Sequence, residues 1–366
     1  MKFITQIAYA AALTAVLTSC GSGSRFVIEG TVDEEVPDGT LVYLVDPHNP
    51  YEAVDSTTTK KGHYRFKGEV EEPWLAMLAS EGIAVQCIVE PGTITVDSDS
   101  IGGTPLNKRL QITAGTIKHN LSGIESQLRT LMPLYQTAAD ATERAEVERT
   151  IDSLESEGNK IILAACGSMY EENRDNLLGR MAMESIAQIR DFSYAELDSI
   201  VNEAAPIVAE SEVVQMKLEQ LRRVDQTSVG KHYTDIVGVD GKLSDLIDGK
   251  VALVDFYASW CAPCRAAIKD HLVPLWKKYK DKGLVIVGLN VWERGNAAAR
   301  KASHEKVMAD LGITYPQLVD STLVATETYG VSGIPQILLI GRDGTILARD
   351  LRGSDVEEAV IQALRK

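Results

Sequence analysis

Three hydrophobic periods follow one another along this chain, and no single architecture accommodates all three. Residues 25–103 carry the period of strands. "RFVIEGTV", "TLVYLVD", "HYRFKGEV", "WLAMLAS", "IAVQCIVE" and "TITVD" are short and rich in β-branched or aromatic residues. Turn residues such as Pro37-Asp38-Gly39, Lys61-Gly62 and Pro91-Gly92 separate them. This stretch predicts an antiparallel β-sandwich-like domain or a small barrel. In residues 104–227 the spacing becomes helical: Leu121, Ile124, Leu128, Leu131 and Leu134, then Ile151, Leu154 and Ile161, with charges between them. Several amphipathic helices are expected, a bundle or spacer punctuated at Gly158 and Gly167. Residues 228–366 alternate. "KVALVDFYAS" and "GLVIVGLNVW" read as strands, 263–281 and 296–311 as helices, "QILLIGRDGTILARDL" as a hairpin and "DVEEAVIQALR" as a closing helix. That order predicts an α/β domain, a mixed central sheet with flanking helices.

The formal net charge of −15 argues against a nucleic-acid binder, which needs a basic face to neutralise phosphates. It identifies no other partner. The first twenty residues, "MKFITQIAYAAALTAVLTSC", have one early lysine and an apolar stretch too short for a membrane span. Residues 1–19 are therefore expected to be a signal peptide. Its ending, Leu17-Thr18-Ser19-Cys20, resembles a bacterial lipobox. That resemblance implies a lipid on Cys20 and a lipidated tether over residues 20–24. A periplasm-facing anchor, with the outer membrane as first choice, follows from the lack of acidic residues after Cys20.

Four further cysteines remain: Cys87, Cys166, Cys261 and Cys264. Cys87 falls in an apolar strand and Cys166 on an apolar helical stripe, so both read as small buried hydrophobes, although a bridge between them stays open. Cys261 and Cys264 stand in "VDFYASWCAPCRAAI", after a strand and at the start of a helix. A loop of two residues is too short to brace a fold. Zinc usually takes four ligands, one such pair supplies two, and the histidines are scattered, so no metal and no cofactor is expected. A cysteine at a helix N-terminus gains thiolate character, and Pro263 is tolerated early in the helix. Cys261 can then attack a disulfide and Cys264 resolve the mixed disulfide.

"VDFYASWCAPCR" resembles the active-site segment of thioredoxin, and "YGVSGIPQILLI" its second hallmark, a proline facing the redox pair. Over residues 228–366 the chain is similar to the thioredoxin superfamily and, within it, to envelope thiol-disulfide oxidoreductases of the TlpA/ResA type. The resemblance implies a cis bond at Ile334–Pro335, catalytic roles for Cys261, Cys264, Asp255 and Pro335, and substrate contacts at Trp260, Ala262, Pro263 and Ile334. It implies protein disulfides as substrates, reduced or isomerised, with electrons from a membrane thiol-disulfide reductase. One departure stands out: the lysine that thioredoxin keeps near its acid is replaced by Gly288, leaving Glu293, Arg294 or a water to substitute. A peroxidase of this fold would want Thr or Ser where Ala258 stands. Two alternatives remain, a redox-inactive thioredoxin-like binding module and a disulfide-forming oxidase. Residues 25–103 also resemble a small β domain found at the N-terminus of many envelope lipoproteins, which implies no chemistry.

Overall fold

In the computed structural model, residues 24–365 are described, except 34, 50, 81–82, 98–99 and 138–140. Cys20 and the apolar leader lie outside the described residues. The chain separates into two compact units. One holds residues 24–191 and 201–214, the other residues 192–200 and 215–365.

The first unit opens with strands β1 (Ser24–Thr31), β2 (Leu41–Val45), β3 (Ala53–Thr58), β4 (His63–Val70), β5 (Trp74–Ser80), β6 (Ile83–Val89), β7 (Gly92–Val96) and β8 (Ile101–Gly102). They form two four-stranded sheets, in the orders β4-β1-β7-β8 and β3-β2-β5-β6. Alternation sets the register: Phe26 and Ile28 point inward from β1, Tyr64 and Phe66 from β4, while Glu29, Arg65 and Lys67 face water. The sandwich is not wholly antiparallel, because β7 returns to lie parallel to β1. β3 carries mostly exposed polar residues and lacks the apolar alternation by which a strand is recognised.

Helix α1 (Pro105–Thr137) begins as part of the sandwich. Its first turn would leave backbone N–H groups without partners, and the Glu90 carboxylate accepts two of them, from Leu106 (2.8 Å) and Asn107 (3.1 Å). Asn107 is fully buried. Its Oδ1 accepts from Ile88 N–H (2.8 Å), and its Nδ2 donates to the Ile88 carbonyl (2.7 Å) and Thr104 Oγ1 (2.8 Å). Helix α2 (Ala141–Glu172) runs back along α1. Gly158 and Gly167 lie inside it without interrupting it, since the helical ladder tolerates an isolated glycine at about 1 kcal/mol. Helices α3 (Leu177–Ile189), α4 (Tyr194–Glu203), α5 (Pro206–Ala209) and α6 (Glu212–Gln226) follow. Among the described residues no helix is long and apolar enough to cross a membrane.

The second unit contains a ribbon of β9 (Val237–Gly238) and β10 (Gly241–Lys242), then α7 (Leu243–Ile247), β11 (Val251–Tyr257), α8 (Ala262–Ala267) and α9 (Val273–Tyr279). Next come β12 (Leu284–Asn290), α10 (Ala297–Leu311), β13 (Gln317–Val319), α11 (Val324–Thr328), β14 (Gln336–Ile340), β15 (Ile346–Ala348) and α12 (Asp355–Arg365). The sheet order is β13-β12-β11-β14-β15, parallel from β11 through β13 and antiparallel at β14 and β15. All seven residues of β11 are buried, as expected of a central strand covered on both faces. Leu253 and Tyr257 pack with Cys264, Ile268, Leu272 and Val360 on one side; Val254 and Phe256 pack with Ile247 and Tyr329 on the other. The helix expected over 263–281 is not uniform. Ile268–Leu272 forms a π turn just before Pro274, whose ring has no N–H for an α-helical bond.

The α1 anchor gives a test. Asn107→Ala should strand the Ile88 amide and carbonyl and lower unfolding stability by about 2–3 kcal/mol, measured by denaturant titration. A loss within experimental error would remove Asn107 as the tie.

Candidate active site

β11 ends at Tyr257, and Ala258-Ser259-Trp260 carries the chain to α8. Cys261 is the N-cap of that helix, and Cys264 sits one turn inside it. The two sulfurs are joined by a disulfide, S–S 1.97 Å. Cys261 Sγ accepts from the Cys264 backbone N–H at 3.2 Å, so a helix N–H points at the sulfur that would carry negative charge. Both cysteines are largely covered: Cys261 keeps 4% of its surface and Cys264 none. Cys261 is therefore the less covered of the two, though it is itself buried. Trp260, Ala262 and Pro263 are exposed around it. The Ile334–Pro335 bond is cis, as the resemblance implied, and the Ile334 carbonyl oxygen lies 3.9 Å from Cys261 Sγ.

Asp255 faces the same side of β11 as Leu253 and Tyr257, the side that packs on Cys264, because side chains two apart on a strand share a face. It is fully buried, and neither carboxylate oxygen has a hydrogen-bond partner among the described residues. Burial drives its pKa from 3.8 up to about 7, and the positive charge of Arg352 offsets part of that rise. Burial, followed by the charge of Asp255, also raises the phenols of Tyr257 and Tyr315.

Gly288 pairs with Asp255 in register, which explains the missing lysine. A Cβ there would meet the amide of Gln317 at 2.5 Å. Gln317 is held in place: its Oε1 accepts from Tyr257 Oη (2.7 Å), and its Nε2 donates to the carbonyls of Tyr315 (3.2 Å) and Pro316 (3.1 Å). Neither Glu293 nor Arg294 replaces the lysine. Glu293 accepts from Ser259 N–H (2.6 Å), Ser259 Oγ (2.7 Å) and Asn290 Nδ2 (2.8 Å), tying β12 to the loop before Cys261. Arg294 lies over the Trp260 ring, 4.3 Å from its centroid. The basic group acting on Asp255 is Arg352, which also donates to the Pro335 carbonyl. Nothing in the sequence marks Arg352, which reaches Pro335 from a turn 17 positions later. Tyr257 was missed as well, although its place two residues beyond Asp255 on one strand face is a signal that could have found it.

Cys87 and Cys166 are buried free thiols, so no bridge joins them. Burial pushes the Cys87 thiol up to about 12 and raises that of Cys166.

A mixed five-stranded sheet, a two-residue cysteine loop at a helix start and a cis-proline beside it define the class: a thioredoxin-like thiol-disulfide oxidoreductase. Residues 229–349 match the AhpC/TSA family, and residues 26–112 a domain of unknown function, DUF4369. The thiol-disulfide oxidoreductase ResA of Bacillus thuringiensis subsp. konkukian (strain 97-27) is 27% identical over 146 residues, 39% of this chain and 80% of that protein. The thiol:disulfide interchange protein CycY of Rhizobium leguminosarum bv. viciae is 36% identical over 124 residues, 33% of this chain and 61% of that one. A crystal structure of a putative thiol:disulfide interchange protein DsbE from Chlorobium tepidum is 31% identical. It is matched over 37% of this chain and 98% of its own, with a TM-score of 0.33. Through its C-terminal domain the chain is similar to the thioredoxin-like thiol-disulfide oxidoreductases.

The buried acid has a consequence for stability. Its folded pKa, about 7, lies above the ordinary 3.8, so the folded state holds a proton that the unfolded state releases. Stability should therefore fall as pH rises from about 4 through 7 and level off above, because the unfolded state binds fewer protons there. The rise from 3.8 to about 7, at 1.36 kcal/mol per unit, is of the order of 4 kcal/mol. With the disulfide kept oxidised, the stability of Asp255→Asn relative to the parent should grow by that amount between pH 4 and pH 8. Parallel stability curves would show that the acid is not desolvated.

Proposed function

We propose that this chain reduces or isomerises protein disulfides outside the cytoplasm, with Cys261 as nucleophile and Cys264 as resolving thiol. The observation that carries this reading is the order of the two sulfurs: Cys261 caps the helix with an amide N–H on its sulfur, and Cys264 is sealed beneath. In the forward direction the Cys261 thiolate attacks one sulfur of a client disulfide. That bond breaks, a Cys261–client disulfide forms, and the other client sulfur leaves as a thiolate. Asp255, on the face that packs on Cys264 and with a pKa near neutrality, takes the proton from Cys264. The resulting thiolate attacks Cys261, releases the second client thiolate and leaves the Cys261–Cys264 disulfide. Two electrons have passed to the client. A membrane thiol-disulfide reductase then supplies two further electrons, which reopen the Cys261–Cys264 disulfide to two thiols.

Pro335 and Ile334 present backbone to the client beside Cys261, and Trp260, Ala262 and Pro263 form the exposed surface it meets. No histidine stands between the cysteines, which favours a potential nearer the about −270 mV of thioredoxin than the about −120 mV of DsbA. This reading takes residues 1–19 as a signal peptide and 20–24 as a tether lipidated on Cys20, anchored to the outer membrane and facing the periplasm. Residues 25–103 and 104–227 then form the β and helical parts that precede the redox domain, 228–366.

Cys264→Ser should accumulate a mixed disulfide with client protein, seen as a band lost on reduction, whereas Cys261→Ser should form none and show no reductase activity. Trapping through Cys264 instead would reverse the assignment. Lipidation has its own readout: the intact native protein should partition into detergent and carry an added acyl mass, both lost in Cys20→Ala. An unmodified peptide spanning Cys20 would end that part of the reading.

A further inference from the structure

We infer that Arg294, stacked on Trp260, is a specificity-determining residue that favours client disulfides flanked by an acidic side chain. This rests on the disulfide-exchange reading above and adds the chemistry of the segment next to the client cysteine.

The whole chain carries a net charge of −15, so its average surface repels acidic peptides. The rim of the sulfur pair departs from that average. Arg294 lies 4.3 Å from the centroid of the exposed Trp260 ring, immediately before Cys261 in the chain. Arg352 donates to the carbonyl of Pro335, one peptide unit from the carbonyl that faces Cys261 Sγ. Glu293, its neighbour in the chain, is already engaged, accepting three hydrogen bonds from Ser259 and Asn290. Among the described residues no carboxylate pairs with Arg294.

Its placement is built rather than incidental. Trp292 adopts a left-handed backbone, φ 53°, an uncommon conformation for a bulky residue. Its carbonyl accepts from Trp260 Nε1 at 2.9 Å, which fixes the indole under the guanidinium. A guanidinium held over an aromatic face by cation–π attraction still has N–H groups to offer, and a carboxylate can take two of them. The indole offers the same segment an apolar surface. A client lying along Trp260 with its disulfide on Cys261 would place a neighbouring acidic side chain against Arg294.

The test uses the full chain and two disulfide-linked peptides, identical except for Glu or Lys beside the cysteine. The ratio of kcat/KM values, Glu over Lys, should be about two- to fivefold in the parent protein, the range an exposed ion pair supports. It should shrink at high ionic strength, approach one in Arg294→Gln and invert in Arg294→Glu. A residue that merely held the loop would lower both rates and leave the ratio unchanged. The same peptides, with serine for cysteine and a fluorescent label, are also titrated against the Cys261→Ser/Cys264→Ser variant. Binding there should show the same preference. If the parent protein reduces neither peptide, the exchange reading fails, while the binding ratio still decides the present one. Equal rates and equal binding, or a preference for Glu that survives Arg294→Glu, would overturn the assignment.

Discussion

One carboxyl group in the middle of a strand buried on both faces sets the terms for the redox domain. β11 is the central strand of its sheet, and six of its seven residues could be predicted to disappear into the core. The seventh, Asp255, goes with them and finds no hydrogen bond. An apolar residue of similar size would make the domain more stable, since an uncompensated polar group in an apolar interior costs free energy in either protonation state. What the acid gains is a proton affinity near neutrality, on the face shared with Cys264. The proton-accepting role proposed for it calls for such an affinity.

The disulfide depends on this strand in a second way. Its loop, Ala258-Ser259-Trp260, is held from below by β11 and from the side by Glu293, whose carboxylate takes both the amide and the hydroxyl of Ser259. Charge-assisted bonds of this kind are the stronger ones. They keep the sulfur of Cys261 pointed at the helix N–H while Trp260 is left outside. Rigidity on one side and exposure on the other suit a thiol that must meet varied partners in one geometry.

Much of this was legible in the sequence because period and spacing are local properties. The run "VALVDFY" reads as a strand, and the two-residue loop at a helix start places both sulfurs at its N-terminus. The parallel pairing of β7 with β1 was not legible, since alternation says which face a strand buries but not which neighbour it takes. β13 has three residues, too few for a period to show. Arg352 and Gln317 act on Asp255 and its pairing partner from distant turns and edges, and their effect comes from tertiary packing alone. The sequence shows the empty place of the lysine, and the nearest charges in the chain, Glu293 and Arg294, or a water, stand as its substitutes there. The charge that reaches Asp255 is that of Arg352, from a segment to which no spacing rule points.

Gly288 and Gln317 also make the effect of a change at either position depend on the other. A Cβ at 288 would meet the Gln317 amide, which its bonds to Tyr257, Tyr315 and Pro316 hold in place, so a longer residue there must displace it. Shortening Gln317 makes that room but strips Tyr257 of its acceptor. Substitutions at the two positions are therefore not additive, and a pair of changes made together can be tolerated where either alone is not.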